Sequence, residues 1–110
     1  MTTEPRAPLR SFPTTSPDTG VLRQVLSESP ELMMVSFCFE TGAKGALHQH
    51  PHVQSTYVHS GRFRFFLEGA AFDVSAGDSF VIPSNAEHGC ECLEAGQLID
   101  SFAPRRDDFL

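Results

Sequence analysis

A chain of 110 residues and 12.1 kDa is sized for one domain, able to bury roughly 60–70% of its unfolded surface. Its 40% hydrophobic and 20% charged residues are ordinary globular composition. A formal charge of −6 with Lys44 as the only lysine supplies no basic stripe, which excludes nucleic acid as a partner class. No stretch approaches the ~18 apolar residues of a membrane span, and the chain opens without an apolar leader, so a cytoplasmic protein without a membrane partner is expected.

Residues 1–20 hold four of the eight prolines with Ser and Thr between them. That composition predicts an extended arm that forms neither helix nor strand ladder, free or lying across a neighbouring subunit. The domain proper then runs over residues 21–110. From Val21 the chain reads as short β-like runs, GVLRQVL, LMMVSFCFE, HVQSTYVHS, RFRFFLE, AFDVS, DSFVIP, HGCECLE and QLIDSFAP, mostly punctuated by Gly, Pro, Asn or Asp. No amphipathic run of period 3.6 competes, so an all-β sandwich or barrel is predicted. Phe63 and Phe65 alternate with Arg62 and Arg64, so one face is core and the other polar; alternation alone leaves the arginines facing either a lumen or water, and water is the expectation. Cys38, Cys90 and Cys92 are an odd set with no export signal; all three read as packing, Cys38 as core filler.

Between Gly42 and Gly61, His48, His50 and Gln54 are spaced to bring three donors to one metal ion. Their shared parity projects them from one face of an extended chain. His88 follows in a second segment, where Gly77, Pro83 and Asn85 shape the approach. Imidazole nitrogen and amide oxygen suit a divalent Zn, Ni, Fe, Co or Mn ion. None of these donors carries negative charge, so the dipositive charge stays available to an anionic oxygen ligand. His52 has the same parity, but Pro51 interrupts pairing beside it, so it reads as an outer neighbour or a surface residue. His59, just before an expected Ser60-Gly61 turn, reads as surface.

Both segments resemble the two motifs of the cupin superfamily, whose members are small double-stranded β-helix or jelly-roll barrels with a metal at the mouth. The first family motif runs Gly, five residues, His-x-His, three or four residues, Glu, six residues, Gly. This chain keeps the spacing with Gln54 in the Glu position, and in the second motif Asn85 stands where glycine is usual and Cys92 where asparagine is usual. The stretches LMMVSF, HQHPHVQSTYVHSG, AGDSFVIP and CLEAGQLIDSFAPRRDDFL resemble the KdgF, or uronate-linearising, family, in which glutamine as a ligand is itself a feature. The resemblance runs from about Val21 to Leu110. It implies metal-dependent ring opening of 4,5-unsaturated monouronates from pectin, in some cases alginate, to the linear 4-deoxy-5-keto uronate. It carries functional roles onto Asp100, Phe102 and Arg106 and implies a uronate substrate and a homodimer.

Asp100 shares parity with Leu98 and Phe102 on an otherwise apolar strand, where an unpartnered carboxylate would cost several kcal/mol; it is the expected proton carrier. Arg106 is expected to take the substrate carboxylate in its planar fork, Phe102 to wall the sugar ring, and Tyr57, three residues past Gln54, to add a substrate-side donor. A cupin dioxygenase and a non-catalytic sugar-acid-binding cupin are the alternatives. The first needs a redox-active metal and commonly a carboxylate ligand, which Gln54 does not supply.

Overall fold

The computed structural model describes residues 12–110. Eight strands follow one another: β1 (Thr15–Asp18), β2 (Val21–Ser29), β3 (Leu32–Phe39), β4 (Lys44–His48), β5 (Val53–Leu67), β6 (Ala70–Ser75), β7 (Ser79–Ile82) and β8 (His88–Ala103), with a short 3-10 turn over Asp107–Phe109. The all-β class expected from the runs is what the chain adopts. The pairing order is β1-β2-β3-β8-β5-β6, all antiparallel, with β4 added to β8 and β7 to β5.

Four of the expected runs fuse into two long strands. HVQSTYVHS and RFRFFLE form β5, while HGCECLE and QLIDSFAP form β8. These two pair along their whole length, from Val53 opposite Ala103 to Leu67 opposite His88. Each changes its other neighbour midway. β5 leaves β7 after Tyr57 and takes up β6 at Arg62, and β8 leaves β4 after Glu91 and takes up β3 at Gly96. The crossing point has a physical cause in Gly61 and Gly96. Gly61 has φ +81°, and a Cβ there would stand 2.5 Å from the Glu94 carbonyl oxygen, while one on Gly96 would collide with the Ser60 backbone. Two strands without side chains at this point can therefore approach closely and shift register while each changes its outer neighbour.

The register shift between Ser60 and Arg62 also flips the inward parity of β5. Before it Gln54, Thr56 and Val58 face inward; after it Phe63 and Phe65 do. Polar site residues and core phenylalanines thus occupy the same strand. Phe63 and Phe65 pack with Val21, Phe39, Val58 and Leu98 in one cluster, and Met33, Val35, Val25 and Phe102 form a second. Arg62 and Arg64 point to solvent and pair with Glu94 and Asp73.

Three expectations are corrected. The arm expected over residues 1–20 lies outside the described residues as far as residue 11, but Thr15–Asp18 forms β1, which pairs with β2. Its Pro17 is tolerated because β1 is an edge strand whose register is broken between Thr15 and Asp18. Cys38 is exposed rather than core filler, because the alternation of β3 buries Met33, Val35 and Phe39 and turns Cys38 out. The Ser60-Gly61 step, expected to be a turn, is the bend inside β5.

Candidate metal centre

His48 closes β4 and His88 opens β8, and the two are direct partners across that ladder. Their ring centroids lie 4.3 Å apart. His50 comes from the loop between β4 and β5, so the three-residue parity of the sequence is not carried by one strand. That loop is anchored by the Asn85 N–H, which donates to the His50 carbonyl oxygen at 2.7 Å. Asn85 adopts φ +63°, a left-handed conformation that asparagine tolerates better than most residues. Gln54 enters from β5, buried on its inner face. One ligand atom from each of His48, His50 and His88 lies within 4.8 Å of the others.

The protonation of these rings can be read from their outer contacts. Nδ1 of His48 faces the Ala46 carbonyl at 2.7 Å, Nδ1 of His88 the Ala86 carbonyl at 2.8 Å, and Nδ1 of His50 the His52 carbonyl at 3.0 Å. A carbonyl only accepts, so each Nδ1 carries a proton, and Nε2 is the ring nitrogen left to serve as a donor to a metal. His52 thus serves through its backbone, as an outer neighbour of the centre. Burial pushes His88 down to about 4 and lowers His50, which keeps both neutral near pH 7.

Nε2 of His88 is buried with no hydrogen-bond partner among the described residues. Nε2 of His50 lies 3.0 Å from Oε1 of Gln54. The Gln54 amide nitrogen donates to Thr56 Oγ1 at 3.0 Å, and that hydroxyl donates to Asp100 Oδ1 at 2.7 Å. With Asp100 ionised the chain can run only in this direction, so Gln54 must turn its oxygen toward His50. Two acceptors then face each other across 3.0 Å, an arrangement a cation converts from repulsion to attraction. The residues present fit a divalent transition metal held by His48, His50, Gln54 and His88.

A cavity of about 300 Å³ opens beside these donors, lined among others by His48, Gln54, His88, Asp100, Phe102 and Arg106. Asp100 is 5% exposed. Burial pushes its carboxyl up to about 7, against the opposing effects of the Thr56 hydroxyl, the Gln54 amide and the Arg106 charge. Phe102 is fully packed between the Met33 cluster and the site, with its ring centroid 5.6 Å from that of His50. The Arg106 guanidinium lies 5.2 Å from the Phe102 ring and 4.2 Å from that of Phe109. One side of its guanidinium, Nε and Nη2, is held by Asp108 at 3.0 and 2.8 Å.

Tyr57 is not brought to the cavity. On this half of β5 the even positions face inward, so Tyr57 stands 45% exposed on the outer face, opposite in parity to Gln54 and Thr56. Cys90 lines the cavity as a buried thiol that burial pushes up to about 12, and Cys92 is buried in the same core. His59 is exposed, as expected. Two residues of the site went unnoticed in the sequence. Thr56 could have been found from its shared parity with Gln54, and Arg23 from its position in V-x-R-x-V, where an arginine takes an inward slot between Val21 and Val25.

Fold and donor set together define a cupin: residues 35–100 match the cupin domain family, and the chain belongs to it. Within the cupins its relatives are specific. It is 41% identical over 93 residues to the pectin degradation protein KdgF of Dickeya dadantii (strain 3937), covering 83% of this chain and 84% of that one. The structure of KdgF from Halomonas sp. superposes with a TM-score of 0.86 at 39% identity, over 92% of this chain and 98% of that one. An RmlC-like cupin from Shewanella frigidimarina NCIMB 400 matches at the same TM-score, 0.86, and 39% identity, over 90% and 89% of the two chains. The chain is a member of the KdgF family of cupins.

Proposed function

We propose that this protein opens the ring of 4,5-unsaturated monouronates released in pectin breakdown, with alginate-derived uronates as a second source, giving the linear 4-deoxy-5-keto uronate. The observation that carries this reading is the position of a buried carboxyl, Asp100, in the same cavity as His48 and His88, whose nitrogens lie within 4.8 Å of each other and of His50. The kinship with proteins named for pectin degradation supports the substrate class.

Atoms balance without any oxidant. The anomeric hydroxyl loses its proton, the bond from C1 to the ring oxygen breaks as C1 becomes a carbonyl, and the enolate left on C5 and its oxygen takes a proton at C4. A divalent ion bound by His48, His50, Gln54 and His88 supplies Lewis-acid stabilisation of negative charge, commonly several kcal/mol. Asp100 holds and moves the proton. A carboxyl raised to about 7 is poised near neutral pH both to accept a proton and to return it, the condition under which general acid–base catalysis is most effective. Phe102 presents an apolar wall that fixes the ring and keeps water out, and Arg106 adds positive charge beside it.

The proposal includes a homodimer in the cytoplasm. Leu22, Leu26, Leu32 and Met34, exposed along β2 and β3, support an apolar contact between copies. Incubating purified protein with an unsaturated monouronate and following it by NMR tests the reaction. The linear keto acid is expected to accumulate faster than without protein, with no oxygen consumed. An unaltered sugar would instead favour a binding protein, and oxygen uptake a dioxygenase.

A further inference from the structure

Arg23 sits on the inner face of β2, between the buried Val21 and Val25. An arginine in a core slot has a large solvation cost unless something meets its charge. Among the described residues no carboxylate does so by contact. Arg62, Arg64, Arg105 and Arg106 each pair with an acidic side chain, to Glu94, to Asp73, to Glu28 and Asp107, and to Asp108 respectively. Arg23 makes no hydrogen bond or ion pair among the described residues. Its guanidinium instead lies 4.1 Å from the centroid of Phe109, whose ring also carries Arg106 at 4.2 Å.

Phe109 therefore links two guanidinium groups, and both line the cavity that holds His48, Gln54, His88 and Asp100. The two differ in what their forks are doing. Asp108 takes the Nε and one Nη donor along one side of the Arg106 guanidinium. The Arg23 fork is left with unused planar donors that match a carboxylate in geometry, in a cavity whose proposed ligand is an acidic sugar. We propose that Arg23 is the residue that binds the carboxylate of the ligand, with Phe109 holding its guanidinium in place and Arg106 kept by Asp108 as a flanking charge. This assignment rests on the reading of the cavity as a uronate site and names the group that selects the acid over a neutral sugar.

The test compares zinc-loaded wild-type protein with R23Q and R23K, titrated with saturated galacturonate and with galactose and followed by calorimetry. Wild type is expected to prefer the acid, and R23Q to lose at least about tenfold in galacturonate affinity, the scale of a charge-assisted bidentate pair, with galactose unaffected. R23K, which keeps the charge and loses the fork, is expected to fall in between. It is also the variant to read if melting curves show R23Q misfolded. Galacturonate affinity unchanged in R23K and R23Q, or absent from wild type, overturns the assignment. R64Q, on the solvent face, should match wild type. Turnover of the unsaturated sugar is scored separately. Arg23-dependent binding without turnover removes the ring-opening reaction and leaves this assignment, whereas turnover with wild-type KM in R23Q removes this assignment and leaves the reaction.

Discussion

Thr56 donates its hydroxyl proton to Asp100 across 2.7 Å, both side chains buried on the inner faces of β5 and β8. That bond leaves the threonine oxygen free to accept only from the Gln54 amide. The Gln54 oxygen is thereby aimed at the histidine cluster by a residue that lies outside it.

Thr56→Val keeps shape and removes both hydrogen bonds. The Gln54 amide loses the partner that fixes its orientation, and metal affinity is expected to fall about 10–100-fold, the usual cost of removing an outer partner of a ligand. Competition with a fluorescent chelator measures this, and Thr56→Ser should recover most of it. Equal affinity in the valine variant would show that Gln54 is oriented by something else.

Asp100→Asn is expected to lower the linearisation rate about 10²–10⁴-fold, with metal content retained. The same substitution has a signature in the metal-free protein. The folded Asp100 binds its proton up to about pH 7, above its ordinary value of 3.8, so the folded state holds more protons than the unfolded one between those values. Stability is therefore present at low pH and lost as pH rises through about 7, at a rate of at most about 1.4 kcal/mol per pH unit. The asparagine variant lacks this loss. Its melting temperature relative to wild type, both stripped of metal, should rise from pH 4 to pH 8; a constant difference would mean the carboxyl is not held protonated by burial.

Gln54→Glu replaces a neutral donor with a charged one. The metal should bind more tightly, while the net charge offered to an acidic ligand falls by one, so KM for the uronate should rise with a smaller effect on kcat. Parallel metal titrations and steady-state kinetics separate the two. A KM that is unchanged would show that the ligand carboxylate does not sense the charge of the centre.

Gly96→Ala puts a methyl group into the Ser60 backbone at the strand crossing. Overpacking of this kind costs about 1–3 kcal/mol, and because β5 and β8 pair along their whole length, unfolding should remain a single transition at lower temperature. A variant as stable as wild type would mean the two strands need not cross so closely.

Much of this site is legible in residue order because ligand type and spacing are local. His48, His50 and His88 meet where their motifs place them, with Gln54 beside His50, and the parity of Asp100 with Leu98 and Phe102 puts a carboxyl on an inner face. What spacing does not encode is the path between elements. Parity places His50 on a strand, while Pro51 and the Asn85 contact put it on a loop. Tyr57 is close to Gln54 along the chain, but an odd offset on a strand turns a side chain to the opposite face. Cys38 is exposed for the same reason, one position from the buried Phe39 in β3. One side of the Arg106 guanidinium is taken by Asp108, two residues on, which folds back on it through the 3-10 turn. The chain crossing at Gly61 and Gly96 is a long-range contact, and single-run patterns carry no trace of it.

Ring opening is expected to depend on a divalent ion held by His48, His50, Gln54 and His88. Following an unsaturated monouronate by NMR with protein stripped by chelator, then reloaded with a divalent transition ion, tests it most directly. The stripped protein is expected to match the spontaneous rate, and reloading to restore turnover in wild type but not in His88→Ala. A stripped protein as fast as the loaded one would contradict the account.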